Sequence, residues 1–278
     1  MIPMKKRSNA IKTFIYIFFT LYCLMTLFPF LWSVMTSFKT TREITRMESF
    51  FPKEWSFQGY RMIFDSQFPQ WVWNSFSVAV TVTLLNLLFN TMAGYALARI
   101  PFKGRGTLFS FLMTLIMIPS QVTMIPLYIV ISRLQLVNTH TALILTTMIS
   151  ITYIFMMRQF FVNFPREIEE AAAIDGLSRF GTFFRIVLPN MKASIATQAV
   201  FVFMGVWNEF MKPVLFISSP EKYMLTQGLN ALSKQYMNTT KWDVIMAGAI
   251  LSIIPILLLY IFLNKYFLRS SNQQAGIK

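Results

Sequence analysis

Residues 169–190 read EEAAAIDGLSRFGTFFRIVLPN, a polar and charged stretch within a chain that is otherwise strongly apolar. Of the 278 residues, 55% are hydrophobic and only 13% are charged, whereas soluble domains carry about 25% charged residues. This deficit indicates an integral membrane protein. The stretch lies between two long apolar runs, so the first question is why a membrane protein carries it there.

Six apolar runs predict six membrane-spanning helices, since one span needs about 20 largely apolar residues. The runs cover residues 13–35, 71–98, 106–132, 142–157, 193–217 and 244–267. Pro119 and Pro126 lie in the third run, and each removes a backbone hydrogen bond, so a kinked or broken helix is expected there. No small-residue cleavage site follows the first run, which therefore predicts a retained anchor.

The basic residues divide unevenly between the two sides of this predicted topology. Six spans place both termini on one side. That side carries 15 of the 25 Lys and Arg residues: four before the first span, three in residues 99–105, five in residues 158–192 and three at the C-terminal end. Short loops rich in Lys and Arg face the cytoplasm. Both termini and the opening stretch are therefore predicted to be cytoplasmic, and the net charge of +14 is explained without a nucleic-acid partner.

The opening stretch begins with the signals of a short helix. Asn163 and Pro165 are typical of a helix start, and acidic residues follow in the early turns, where the helix dipole favours negative charge. The three alanines at 171–173 form helix readily with almost no side chain. Gly176 is placed where glycine commonly follows a helix end. A surface of alanines allows another surface to approach closely.

A second helix is predicted after the turn. Ser178 can cap its start, and Pro189 ends it before the next span. From the residues alone, this helix–turn–helix is either a plug for a socket on a cytoplasmic partner or an ordinary amphipathic linker on the membrane surface.

The spacing of the stretch resembles the EAA loop of ABC importer permeases. Residues 170–172 are Glu-Ala-Ala. Three residues separate them from Gly176, and nine residues separate Gly176 from Ile-Val-Leu-Pro at 186–189. In that family the loop is the coupling helix, which docks in a cleft of the cytoplasmic ATPase. The resemblance implies a coupling role for Glu169, Glu170, Ala171, Ala172, Asp175, Gly176, Leu188 and Pro189.

Other stretches are similar to one branch of that family, the carbohydrate-uptake permeases of the maltose-transporter MalG type. They are PFLWSVMTSFKT (29–40), NSF (74–76), AGYALARIPFKGRG (93–106), MIPLYIVISRLQLVNT (124–139) and WNEF (207–210). The resemblance implies an all-α polytopic membrane protein with six transmembrane helices in the type I importer (MetI-like) permease fold. The implied parts are an N-terminal anchor helix with an extracytoplasmic loop (1–70), a permease core (71–268) that contains the coupling loop (158–192), and a cytoplasmic tail (269–278).

The resemblance also implies an assembly in a bacterial cytoplasmic membrane. Its other members would be a second homologous permease, an ABC ATPase dimer, an extracellular solute-binding protein and a carbohydrate substrate. The chain itself is not expected to be an enzyme. A phosphate-binding loop needs Gly-Lys followed by Ser or Thr, and no Gly-Lys pair occurs in the sequence. ATP and Mg²⁺ are therefore expected on the partner ATPase subunits, and no cofactor is expected in this chain.

Polar side chains within the predicted spans are candidates for the translocation pathway. Asn86 and Asn90 lie four residues apart on one helical face, with Tyr95 further along, and Gln121 and Tyr128 lie in the proline-containing span. Amide, hydroxyl and aromatic groups of this kind bind sugars. The alternative for the asparagines is hydrogen bonding between helices within the membrane.

The WNEF segment places two further candidates, Asn208 and Glu209, in the fifth predicted span. Ionisable groups inside a membrane are costly and are functional candidates by default. The alternative is an internal pair of Glu209 with Lys212, three residues further on. If Glu209 acts in transport, replacing it with Gln is expected to impair transport while assembly survives.

Few other chemistry-bearing residues occur. Cys23, the only cysteine, is expected to be a small buried hydrophobic side chain, and the single His140 is expected in a loop-to-helix cap and allows no His-rich metal site. Three alternatives are an ABC permease for a non-sugar solute such as glycerol phosphate, a secondary transporter or channel using Glu209 and Asp243, and a membrane enzyme. The EAA spacing disfavours the secondary transporter or channel.

Overall fold

The computed structural model describes residues 4–46, 49–237 and 241–275, which contain helices and loops but no strand. These residues form two compact units. The first unit includes the described residues up to Phe68 together with those of Leu229–Ile253. The second unit includes Pro69–Gly228 and the described residues from Ile254 onward.

The α-helices are numbered here in chain order. They are α1 (Met4–Ser37), α2 (Thr41–Arg46), α3 (Gln58–Asp65), α4 (Phe68–Arg99), α5 (Arg105–Ile116), α6 (Ser120–Arg133), α7 (His140–Thr147), α8 (Ile151–Val162), α9 (Arg166–Ile174), α10 (Arg179–Thr182), α11 (Leu188–Asn190), α12 (Lys192–Trp207), α13 (Met211–Phe216), α14 (Leu225–Met237) and α15 (Trp242–Ala275). A π-helical turn, Phe183–Val187, joins α10 to α11, and a 3₁₀ turn, Pro220–Lys222, precedes α14.

The helices account for the six predicted spans in their predicted order. Three helical segments are long and apolar enough to cross a membrane: Ile11–Ser37, Phe68–Arg99 and Trp242–Phe262. Three bent pairs meet the same criteria when each pair is counted together: α5–α6 is bent by 101°, α7–α8 by 41°, and the segment Arg179–Asn190 is bent by 81° against α12. The described residues therefore hold up to six spans.

The third span is broken at only one of its two prolines. Pro119 directly precedes the first residue of α6, at the position of the 101° bend. Pro126 lies inside α6, which continues past it to Arg133. The expected break is thus confirmed at Pro119, where the proline stands at a helix start and its missing N–H costs no intrahelical bond.

The fifth span is shorter than predicted. The sequence predicted one helix over residues 193–217, but α12 ends at Trp207 and a separate helix, α13, begins at Met211. The reason is the carboxylate of Glu209, whose Oε1 accepts hydrogen bonds from the backbone N–H groups of Phe210 (3.0 Å) and Met211 (2.9 Å). These bonds satisfy the free N–H groups of a new helix start.

In the first unit, α3 packs directly against the start of α15. A Cβ atom at Gly59 would lie 2.8 Å from the backbone carbonyl of Asp243, so only glycine permits this approach. Helix α1 is different, because the most apolar 18-residue stretch of its span has no residue buried within the protein. Cys23, which was expected to be buried, is exposed on α1. The expectation was wrong because an apolar run in a membrane protein can face lipid instead of a protein core.

Candidate functional site

Helix α9 has the start and end that its sequence predicted. Pro165 precedes its first residue, and Gly176 follows its end with a φ of +82°. The amide of Leu177 donates to the carbonyl of Ala172 (3.0 Å), and that of Gly176 donates to Ala173 (3.1 Å). This pair of bonds is the Schellman motif, which needs a left-handed residue at the position of Gly176. A Cβ atom there would meet nothing within 4 Å, so the requirement lies in the backbone and not in space.

The segment after the turn is helical but not uniformly α-helical. The Ser178 Oγ accepts a hydrogen bond from the amide of Gly181 (3.2 Å), which confirms the predicted cap. The helix then widens into the π-turn Phe183–Val187 before α11, where Pro189 stands in the first turn. The predicted end near Pro189 is confirmed by the sharp bend that follows. Nothing in the sequence analysis predicted the π-turn.

A polar anchor joins α9 to the C-terminal end of α4. The hydroxyl of Tyr95 donates to Glu169 Oε2 at 2.9 Å. The Arg99 Nε lies 3.0 Å from Glu169 Oε1, at ion-pair distance but without hydrogen-bond alignment. The Arg99 guanidinium also donates to the carbonyl of Phe164. The side chains of Arg99 and Glu169 are only 8% and 16% exposed, so the pair is largely shielded from water.

An apolar cluster surrounds this anchor. Tyr95 packs edge-on against Phe161, with ring centroids 5.4 Å apart, and against Phe183 at 4.9 Å. The other buried members come from α4, α8, the link between α8 and α9, and the segment after α9: Ala98, Met157, Phe164 and Val187. Tyr95 was considered from the sequence as a sugar-binding side chain, but here it packs against residues 158–192. The cluster and the ion pair together make residues 158–192 continuous with the core of the second unit.

The opposite face of the loop is exposed. Ile174 is 87% exposed and Phe180 is 67% exposed, and the ring of Phe180 stacks on Phe184 with centroids 6.3 Å apart. Small and acidic side chains lie beside them and are also exposed: Glu170, Ala171, Ala173 and Asp175. The loop therefore presents a surface that combines exposed apolar groups with small residues.

The eight coupling residues predicted from the sequence thus divide into two groups. Glu169 and Ala172 face inward, with Ala172 4% exposed, and Leu188 is partly buried. The exposed members are Glu170, Ala171, Asp175, Gly176 and Pro189. Sequence analysis missed the outward Ile174 and Phe180, although large apolar residues in a polar stretch are a signal that could have identified them.

The two candidate asparagines of α4 bond to other helices. Asn86 is fully buried, and its Oδ1 accepts from Gln198 Nε2 of α12 at 2.9 Å. Asn90 is also fully buried, with its Nδ2 donating to the Met148 carbonyl (3.2 Å) and its Oδ1 accepting from the Ser150 amide (3.3 Å). These bonds are those expected of polar residues that join helices in a membrane. A role in the pathway stays a prediction for both.

The remaining pathway candidates lie at different places in the second unit. Gln121 is exposed on α6 and Asn208 is exposed after α12, where its amide donates to the Met204 carbonyl at 2.9 Å. Glu209 caps α13, as described above. Lys212 does not form the direct pair with Glu209 that the sequence suggested. Its Nζ instead donates to the carbonyl of Thr146, at 2.9 Å.

One other expectation concerns the loop before α7. His140 is the first residue of α7, and Thr139 Oγ1 accepts from the amide of Ala142 as the helix cap. The His140 ring contacts the carbonyl of Lys222 through Nε2 at 2.9 Å. The predicted loop-to-helix position of His140 is therefore confirmed.

Three proteins with high similarity cover almost the whole chain. The arabinooligosaccharides transport system permease protein AraQ of Halalkalibacterium halodurans is 34% identical over 271 residues, which covers 95% of this chain and 96% of the relative. AraQ of Bacillus subtilis is 32% identical over 267 residues and 94% of each chain. The lactose transport system permease protein LacG of Rhizobium radiobacter is 31% identical over 246 residues, covering 88% of this chain and 89% of LacG.

Two solved structures share the fold. One is a chain of a bacterial ABC transporter involved in the import of the acidic polysaccharide alginate, with a TM-score of 0.83, 20% identity, and coverage of 96% of this chain and 99% of that chain. The other comes from a bacterial alginate ABC transporter in complex with an alginate pentasaccharide-bound periplasmic protein. Its TM-score is 0.63 at 14% identity, over 93% of this chain and 95% of the other.

The region that matches a family model includes residues 158–192 and their contacts on α4. Residues 90–272 match the model of the family described as binding-protein-dependent transport system inner membrane component. The match therefore includes Tyr95, Arg99 and the whole of residues 158–192. Together with the full-length similarity to transport-system permeases, it shows that the chain belongs to the family of binding-protein-dependent transport system inner membrane components.

Proposed function

We propose that this chain is the permease subunit of an ATP-driven carbohydrate importer and forms half of its translocation pathway. The similar permeases of arabinooligosaccharide and lactose transport systems support a carbohydrate substrate. The other half of the pathway would come from a second homologous permease, with an extracellular solute-binding protein delivering the sugar. The distribution of Lys and Arg supports cytoplasmic N- and C-termini.

The observation that carries this proposal is the two-sided cytoplasmic loop of residues 158–192. Its inner side is held to α4 by Glu169, and its outer side exposes Ile174 and Phe180. Exposed apolar patches commonly mark interaction sites with proteins or membranes. The alanines beside Ile174 leave room for close approach, which favours a socket on an ABC ATPase over contact with lipid alone.

Energy coupling would then run through the ion pair between Glu169 and Arg99. ATP and Mg²⁺ are bound by the partner ATPase subunits, and closure of the ATPase dimer moves the docked α9 inward. Because Glu169 is bonded to Arg99 and Tyr95, this movement is transmitted to α4, which runs from the loop through the membrane. Binding protein and sugar bias the same two-state equilibrium from the outer side.

A pull-down of the chain from its native membrane in mild detergent tests the proposal. We expect a second six-span permease and an ATPase with a phosphate-binding loop to co-purify. Ile174→Glu should lose the ATPase and keep the second permease, because it places a charge on the docking surface. Phe102→Glu is the matched control, since Phe102 is another exposed apolar residue on the predicted cytoplasmic side, at 42% exposure, and lies outside the loop.

The proteins that co-purify with each variant distinguish the outcomes. Loss of the ATPase in Ile174→Glu alone supports the docking surface. If the wild-type chain purifies alone or as a homo-oligomer, the proposal of an ATP-driven importer is wrong and a secondary transporter becomes the better interpretation. ATP-dependent uptake of sugars by the co-purified complex in vesicles, measured against uptake of glycerol phosphate, tests the substrate class.

A further inference from the structure

A cavity of about 250 Å³, lined by both polar and apolar side chains, lies in the second unit, where the pair α7–α8 is interrupted. Non-helical backbone at membrane depth is tolerated only where it is buried in protein or lines a water-filled space. The cavity is lined by Ile149 and Ser150 from the interruption and by Gly205 of α12. The interruption between α7 and α8 therefore forms part of the cavity wall.

The backbone at this interruption is satisfied by side chains of the protein itself. Asn90 bridges it by donating to the Met148 carbonyl and accepting from the Ser150 amide. Lys212 donates to the Thr146 carbonyl at the end of α7. The break is thus fixed in shape without any ligand, and the cavity beside it is already formed.

Several groups that line the cavity can form further hydrogen bonds. Within the described part of the chain, the Tyr153 hydroxyl has no hydrogen-bond partner, and Glu209 uses Oε1 for the α13 cap while its Oε2 has none. The Lys212 ammonium has three N–H donors. Two of them are used, on Thr146 and Thr147, each at 2.9 Å. The cavity therefore offers donors and acceptors together.

The charge and size of the cavity limit its ligand. Glu209 and Lys212 are the charged residues among those that line it, and their formal charges cancel. A volume of 250 Å³ is many times the roughly 10–15 Å³ that a cavity needs to hold one water molecule, so the cavity has room for a ligand of several heavy atoms. Because these charges cancel, the cavity supplies no net positive charge to offset the cost of taking an anionic group out of water.

We propose that this cavity is a subsite for one neutral, hydroxyl-rich sugar unit, with Tyr153, Glu209 and Lys212 as its hydrogen-bonding groups. The proposal rests on the proposed function, since it assigns a substrate contact of the same permease. It adds Tyr153 and Lys212, which the sequence analysis did not select as pathway residues. It also assigns the subsite to neutral sugars and not to sugar phosphates or uronides.

Protection of an introduced thiol tests the subsite in the complete importer, reconstituted in vesicles. Cys23→Ser first removes the only cysteine of the chain. Gly205→Cys then places a thiol at the cavity wall, where a Cβ atom would make an ordinary 3.5 Å contact with the Tyr153 hydroxyl. Saturating arabinobiose, lactose or galactobiose should slow its reaction with N-ethylmaleimide about tenfold, in proportion to occupancy. Digalacturonate, the anionic counterpart of galactobiose, should leave the rate unchanged.

Val214→Cys in the same background is the control position, because Val214 is 51% exposed on α13 and lies outside the cavity. No sugar should protect it. Equal protection at both positions, or equal protection by digalacturonate, would overturn the subsite. The subsite would also be overturned if the importer takes up any of the three neutral sugars but none of them protects the thiol of Gly205→Cys. If no sugar is taken up with ATP, the proposed function fails and the subsite with it.

Tyr153→Phe provides an independent measurement that leaves the cavity shape intact. It removes one hydroxyl, so the sugar concentration for half-maximal uptake should rise about fivefold, as expected for one net hydrogen bond. Tyr22→Phe is the matched control on exposed α1 and should leave this concentration unchanged. An unchanged value in Tyr153→Phe would remove Tyr153 from the subsite and contradict the assignment.

Discussion

Replacing Glu169 with alanine removes the acidic partner of a shielded ion pair and leaves Arg99 without it. Removing one partner of a buried pair costs about 3–5 kcal/mol. The lower end applies here, because the Glu169 side chain is 16% exposed and Arg99 keeps its bond to the Phe164 carbonyl. A loss of about 3 kcal/mol shifts the equilibrium between attached and detached α9 by roughly a hundredfold.

The measurable consequence is loss of coupling with retention of assembly. In the reconstituted importer, the ratio of substrate-stimulated to basal ATP hydrolysis should fall towards one in Glu169→Ala. Glu167→Ala is the matched control, because Glu167 is an exposed acidic residue of the same helix and its loss changes the charge equally. It should retain stimulated hydrolysis.

The double variant Glu169→Ala with Arg99→Met makes the physical reason testable. Removing both members of a buried pair leaves no uncompensated charge and costs less than removing one. The double variant should therefore couple better than Glu169→Ala alone. The role given to the ion pair would be refuted if the double variant lost as much stimulated ATP hydrolysis as Glu169→Ala, or more. It would also be refuted if Glu167→Ala lost as much as Glu169→Ala.

Three further outcomes follow from local geometry. Gly176→Ala places a side chain at a φ of +82° and should cost about 1 kcal/mol, seen as about fivefold faster amide exchange at the end of α9. Gly228→Ala would put a Cβ atom 2.2 Å from the Trp71 ring and should lower thermal stability, whereas Gly106→Ala, with nothing within 4 Å, should not. Glu209→Gln keeps an oxygen for the α13 cap, so assembly should survive, while sugar uptake should fall about tenfold through loss of the charged acceptor; unchanged uptake would exclude Glu209 from transport.

The helices and their ends were predictable because their signals are local. Runs of apolar residues predicted the spans, Pro119 predicted the break in the third, and Gly176 and Ser178 predicted the turn between α9 and α10. Each of these effects acts within a few residues of the chain, through missing N–H groups, positive φ or side-chain caps. The spacing of the EAA stretch added the family resemblance.

The site was predictable only in part, because the direction of a side chain depends on what packs against it. The sequence placed Glu169 and Glu170 together in one coupling group, yet one is bonded inward and the other is exposed. The apolar run over residues 193–217 also predicted a single helix. The Glu209 carboxylate ends that helix by capping its successor, and Lys212 reaches a carbonyl 66 residues away in sequence.

The sequence alone determined that the chain is a membrane protein of several spans with a helix–turn–helix between two of them, since hydropathy and turn residues act over short distances. Only the tertiary structure decided that Tyr95 and Arg99 hold this loop through Glu169, and that Asn90 and Lys212 support an open interruption between α7 and α8. The physical reason is that polar groups in a low-dielectric interior take whichever partner the packed helices bring within hydrogen-bond distance. Those partners lie far apart in the chain and come together only in the fold.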